Sequence, residues 1–132
     1  MPDKETNTHW QWRFDMALAI AESLDQERYG VKALYLIGSV KTGEAGPCSD
    51  IDLLAHCVDD SHKHALLKAW CEGWGHSLAA LNECKTEFKT KGSLVDLHII
   101  TDRDIKQRSS FAVMLDSVNN SARLLKEASN NE

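Results

Sequence analysis

The tightest constraint in this chain of 132 residues is a pair of acids one position apart at the head of an apolar run, Asp50-Ile51-Asp52-Leu53-Leu54-Ala55. A strand points successive side chains to opposite faces. Asp50 and Asp52 would therefore share a face with Leu54 and His56, while Ile51, Leu53, Ala55 and Cys57 take the other. Their Cα atoms would stand roughly 6.6 to 6.8 Å apart. Two carboxylates this close on a half-buried strand repel each other and lose hydration, so a purely structural role is unfavourable and a cation is expected beside them.

The cation best suited to such oxygens is Mg²⁺, which keeps part of its water shell and completes it with phosphate oxygens. Two such ions about 3.5 to 4 Å apart can clamp the attacking and leaving oxygens of an in-line phosphoryl or nucleotidyl displacement. That chemistry wants a third carboxylate. Asp96, in the apolar segment Ser93-Leu94-Val95-Asp96-Leu97-His98-Ile99-Ile100, is the other acid embedded in a strand-like run. It shares a face with Leu94, His98 and Ile100. Gly38-Ser39, at the end of the run Val31-Lys32-Ala33-Leu34-Tyr35-Leu36-Ile37, offers backbone N–H groups and a hydroxyl to an anion.

Around these residues the periodicities give an element order. Residues 12–29 place Phe14, Ala17, Leu18, Ala21 and Leu24 on one helical stripe that Gly30 can end. Residues 31–37 read as a buried strand, 40–45 as a short helix broken by Gly46-Pro47, and 49–58 as a second strand. Asp60 or Ser61 caps a third helix whose apolar stripe is Leu66, Trp70, Trp74, Leu78 and Leu81, weakened by Gly73 and Gly75. Residues 84–100 alternate with period two about Lys91-Gly92 and read as a hairpin. Thr101 with Asp104 resembles a helix start, followed by Phe111, Met114, Leu115, Val118 and Leu125 as the last helix's apolar face. The expectation is an α/β (α+β) fold, a small mixed β-sheet with helices packed on it. A single domain over 1–132 is expected, with a motif core at 32–101 and helical flanks at 10–30 and 102–127.

Composition narrows the partners. The net charge of −5, without a Lys/Arg block, gives no strong nucleic-acid signal. No apolar stretch approaches the roughly 18 residues of a membrane span, and a cytoplasmic protein is expected. Cys48, Cys57, Cys71 and Cys84 fit no CxxC pattern and are expected to be reduced thiols. His56 and His98 fall on the aspartate faces and read as hydrogen-bonded neighbours rather than catalysts. His62 and His64 read as solvated, and Trp70 and Trp74 as core.

Gly38-Ser39, a ten-residue spacer, Asp50-Ile51-Asp52 and then Asp96 resemble the nucleotidyltransferase superfamily, the fold shared with DNA polymerase β, and in particular its minimal single-domain members. The resemblance covers roughly residues 32–101. It implies that Asp50, Asp52 and Asp96 are catalytic and hold two Mg²⁺ ions, for which Mn²⁺ can substitute. It also implies that Gly38 and Ser39 hold a triphosphate, with Lys41 and Ser49 as further nucleotide-binding candidates. The expected activity is transfer of an NMP group from an NTP, ATP being the expected donor, to a hydroxyl of a protein or small molecule rather than a primer strand. The alternative is a non-catalytic module that keeps the fold to bind a nucleotide or a partner.

Overall fold

A computed structural model describes residues 8–43, 45–90, 92–107 and 123–127. The first described element is α1 (Thr8–Ser23), which stops short of the expected boundary at Tyr29. Asp25 interrupts it and caps α2 (Gln26–Tyr29) by accepting the Arg28 N–H at 3.1 Å. Gly30, at φ +66°, then closes that turn in the left-handed region as its position suggested. β1 (Val31–Ile37) matches the apolar run residue for residue. The short helix α3 (Gly38–Thr42) begins on the Gly-Ser pair itself, two residues earlier than expected, and Val40 anchors it with a fully buried side chain.

β2 (Ile51–Cys57) starts one residue after Asp50, so that acid lies in the approach to the strand and not within it. The Asp60 side chain caps α4 (Ser61–Thr86) through the His62 and Lys63 N–H groups at 3.0 and 3.2 Å. This helix runs unbroken through both glycines, and its buried line is Leu67, Cys71, Gly75, Leu78 and Asn82. Leu66 and Leu81 of the expected stripe are exposed. Trp70 and Trp74 do pack against the core, edge to face at 6.2 Å. Gly75 is the point of closest approach: its carbonyl accepts the Leu94 N–H at 3.0 Å, and a Cβ there would overlap the Ser93 hydroxyl.

The expected hairpin over 84–100 does not form. α4 continues to Thr86 and ends on Glu87, a non-glycine residue at φ +66° whose N–H reaches the Glu83 carbonyl at 2.8 Å. β3 (Val95–Ile100) then lies parallel to β2. Parallel neighbours need a long crossover, and α4 supplies it. Thr101 and Asp104 make the capping box of α5 (Asp102–Lys106). Residues Phe111, Met114, Leu115 and Val118 of the expected last helix lie outside the described residues. Leu125, assigned to that helix, instead belongs to β4 (Arg123–Glu127), an antiparallel neighbour of β1. The helical flank expected over 102–127 is corrected at 123–127, which is strand, while residues 108–122 lie outside the described residues.

The sheet order is β3-β2-β1-β4, mixed in direction as expected, with β2 and β1 central. One face carries the main core, where Leu34, Leu36, Ile51, Leu53, Ala55 and Val95 meet Ala17, Ile20, Leu24, Leu67 and Leu78 of the helices. The other face holds a small cluster of Ile37, Leu54 and Ile100 against Tyr35 and Ile105. The remainder of that second face is left for polar side chains.

Candidate active site

Register decides which acids meet. In the parallel pairing of β2 with β3, Asp52 stands opposite Asp96 and Leu54 opposite His98, so Asp52, Asp96 and His98 project from the face away from the main core. One ligand atom from each of the three lies within 4.8 Å of the others. His98 Nε2 is 3.3 Å from Asp96 Oδ2. Asp96 is exposed at 54% of its side chain, open to an incoming group, whereas Asp52 is half-buried.

The burial of Asp52 has a local cause. β2 is flanked on both sides, with Ile37 of β1 opposite the same residue, and Gly38 immediately follows Ile37. Gly38 has φ +78°, and a Cβ on it would run into Asp52 Oδ2. The glycine thus allows the backbone at the start of α3 to lie directly against the carboxylate. Burial, then the charges of Asp96 and Asp50, push the Asp52 carboxyl up from 3.8 to about 6, against a smaller opposing pull from His98. Asp50 is raised by burial and by Asp96, while Arg13 opposes the rise. Burial and neighbouring negative charge thus make ionisation of Asp52 and Asp50 unfavourable, a condition that a bound cation would relieve. Two carboxylates and an imidazole form a donor set that fits a divalent cation.

Asp50 is exposed in the approach to β2 and outside the 4.8 Å set. It lines, with Asp96, a cleft of about 430 Å³ whose other wall carries Lys68 and Glu72 of α4. Ser39 and Lys41 sit on α3, in its second and fourth positions. The Ser49 hydroxyl accepts the Gly46 N–H at 2.8 Å and so closes the loop before Asp50. His56 is drawn away from the acids of the site, its Nε2 lying 2.8 Å from Asp102, which also pairs with Lys32 at 2.8 Å. The four cysteines are free thiols, Cys57 and Cys71 buried, Cys48 and Cys84 exposed.

Two groups next to the site escaped the sequence reading. Arg13 of α1 is fully buried and donates from Nε to the Ser49 carbonyl at 2.8 Å. Its terminal nitrogens reach the carbonyls of Pro47 at 3.1 Å and His9 at 3.4 Å, and Asn82 Oδ1 at 3.0 Å. Asn82, also fully buried, donates to the same Pro47 carbonyl at 2.9 Å. A signal for both existed. Arg13 lies four residues before Ala17, and Asn82 four after Leu78, so each is a polar residue standing on an apolar helical stripe.

Asp52 and Asp96 thus stand on neighbouring strands beside a short helix that begins at Gly38. The nucleotidyltransferase domain family matches residues 19–126, and the chain belongs to that family, whose members transfer nucleotide groups. No curated protein matches the chain. A crystal structure from Sulfolobus solfataricus, provisionally described as a nucleotidyltransferase, is similar over 90% of this chain and 84% of its own at 15% identity, with a TM-score of 0.46. Among the described residues no helix is long and apolar enough to cross a membrane.

Proposed function

We propose that this protein is a divalent-metal-dependent nucleotidyltransferase that moves an NMP group from an NTP, ATP being the expected donor, to a hydroxyl of a protein or small molecule. The observation that carries the reading is the pairing of Asp52 with Asp96 on an open sheet face, with the Gly38 backbone pressed against Asp52. Metal and phosphate sites would then share an edge.

Asp50, Asp52 and Asp96 would hold the cations, two Mg²⁺ ions with Mn²⁺ as substitute, and His98 stands close enough to join them. When bound, such ions neutralise the charge on the reacting phosphate and the departing pyrophosphate. The chain's own part is to position and to move a proton. Backbone N–H groups from Gly38 and Ser39 would hold the triphosphate, with Lys41 beside them on α3 and Ser49 shaping the loop that faces it. The acceptor oxygen attacks the α-phosphorus, the bond to the β-phosphate oxygen breaks, and the hydroxyl proton passes to Asp96, the acid most open to solvent in the paired set. The net charge of −5 favours a protein or small-molecule acceptor over a primer strand.

The test is pyrophosphate release from labelled ATP with Mg²⁺ and a set of candidate hydroxyl acceptors, for the wild type and Asp96→Asn. Release abolished by the substitution supports the proposal. Nucleotide binding that survives loss of both Asp50 and Asp52, without any release, would assign the chain to non-catalytic binding instead.

A further inference from the structure

A guanidinium is expensive to strip of water, and chains bury one where it has a carboxylate to meet. Arg13 is fully buried, and its hydrogen-bond acceptors are three backbone carbonyls and one amide oxygen, all neutral. Replacing such a group with an apolar side chain would be the cheaper way to fill the space. What the guanidinium and Asn82 accomplish together is specific. Between them they hold the carbonyls of Pro47 and Ser49, on either side of Cys48, and the next residue is Asp50. Nothing in the β-ladder fixes Asp50, because β2 begins after it. Its place is set by the three residues before it, and these are tied to two helices.

We propose that Arg13 and Asn82 form an internal latch that positions Asp50 at the site, locking the loop from Pro47 to Ser49 onto α1 and α4. They are positioning residues: neither touches the reacting atoms. The latch also places a fixed positive charge behind an acid that faces Asp96. Burial pulls the Arg13 guanidinium down, whereas Cys48 and Asp50 pull it up, and Arg13 in turn opposes the rise at Asp50. The proposal rests on the reading of Asp50 as a metal ligand, and its test separates the two.

The experiment uses the full chain. Native-state hydrogen exchange of the Ser49 amide, which donates to the Gly46 carbonyl at 3.2 Å, reports the loop without any metal, and Mn²⁺ titration reports ligands. Arg13→Gln and Asn82→Ala are compared with Asp50→Ala. Asn82→Ala keeps the test decisive if Arg13→Gln does not fold. The latch predicts exchange at Ser49 accelerated by about tenfold or more in both variants, following loss of native-state loop protection. It also predicts that each variant weakens the same Mn²⁺ binding step as Asp50→Ala by about 10- to 100-fold, the usual effect of losing support behind a ligand. Binding at Asp52 and Asp96 should persist in all three. A folded Asn82→Ala with unchanged exchange overturns the latch, as does a loosened loop with unchanged Mn²⁺ binding. If Asp50→Ala itself binds Mn²⁺ as the wild type does, the ligand role of Asp50 fails, and the exchange rates still decide whether the latch holds the loop.

Discussion

Replacing Asp52 by Asn should stabilise the metal-free protein at pH 8, the reverse of the usual effect of substituting a half-buried residue in a central strand. Burial and the charges of Asp96 and Asp50 lift the Asp52 carboxyl from 3.8 to about 6. A raised acid binds its proton more tightly folded than unfolded, so stability falls as pH rises from about 4 through 6, and the full penalty stands at pH 8. The interval corresponds to about 3 kcal/mol by the relation between pKa and free energy. Solvent screening of a half-exposed carboxyl reduces that to about 1–2 kcal/mol. Asparagine keeps the shape of the protonated acid and cannot ionise. Urea unfolding in EDTA should therefore show Asp52→Asn more stable by about 1–2 kcal/mol at pH 8 and nearly equal to the wild type at pH 4. Saturating Mn²⁺ or Mg²⁺ should reverse the order, because a ligand at 100 times its Kd adds about 2.7 kcal/mol to the form that binds it. An Asp52→Asn chain less stable than the wild type at pH 8 without metal, or a gain that does not change with pH, would refute the electrostatic account.

Gly73 and Gly75 of α4 should respond oppositely to alanine. A Cβ on Gly73 meets nothing within 4 Å, so Gly73→Ala should gain up to about 1 kcal/mol from helix propensity; Gly75→Ala, driven into Ser93 and the Val95 amide, should lose about 1–3 kcal/mol, both read by thermal unfolding. Gly38→Ala combines a left-handed backbone with a collision against Asp52 and should cost about 1–3 kcal/mol together with the metal response; unfolding curves superimposable on the wild type would contradict the close approach. Since Asp52 must lose its proton to bind a cation, Mn²⁺ affinity should fall about fivefold between pH 6 and pH 5, and a flat calorimetric profile over that interval would count against Asp52 as a ligand.

What the sequence disclosed and what it hid divide by the range of the forces involved. Strand β1, the Gly30 stop, the Asp60 cap and the Thr101/Asp104 capping box are set by neighbours within four residues, and each stands where its local signal puts it. The end of α4 carried no such signal. Glu87 takes the left-handed position that glycine normally marks, so the helix ran past the point where its polarity suggested a strand, and Lys91-Gly92 imitated a hairpin turn. The buried line of α4 runs through Gly75 and not along Leu66 and Leu81, because only a residue without a side chain lets β3 come in against the helix. Leu125 lies in β4, whose neighbours Leu124 and Lys126 pair with Tyr35 and Leu34 far away in sequence, which periodicity does not encode.

The carboxylates illustrate both ranges at once. Alternation placed Asp52 and Asp96 each on a strand face, but only the parallel register, fixed by the α4 crossover, brings residue 52 opposite residue 96. An antiparallel neighbour could equally have paired Asp52 with an apolar residue. The central position of β2 then raises the cost of ionisation, because an acid with Gly38 against one side and Asp96 on the other is left only partly hydrated. Arg13 is too far along the chain to be associated with this problem by spacing, yet it reaches the loop across a separation of 36 positions and tempers the rise at Asp50. Among the described residues Asp52 has no comparable cation beyond the weak pull of His98, so an external cation bound beside it would offset the cost of its ionisation, about 1–2 kcal/mol.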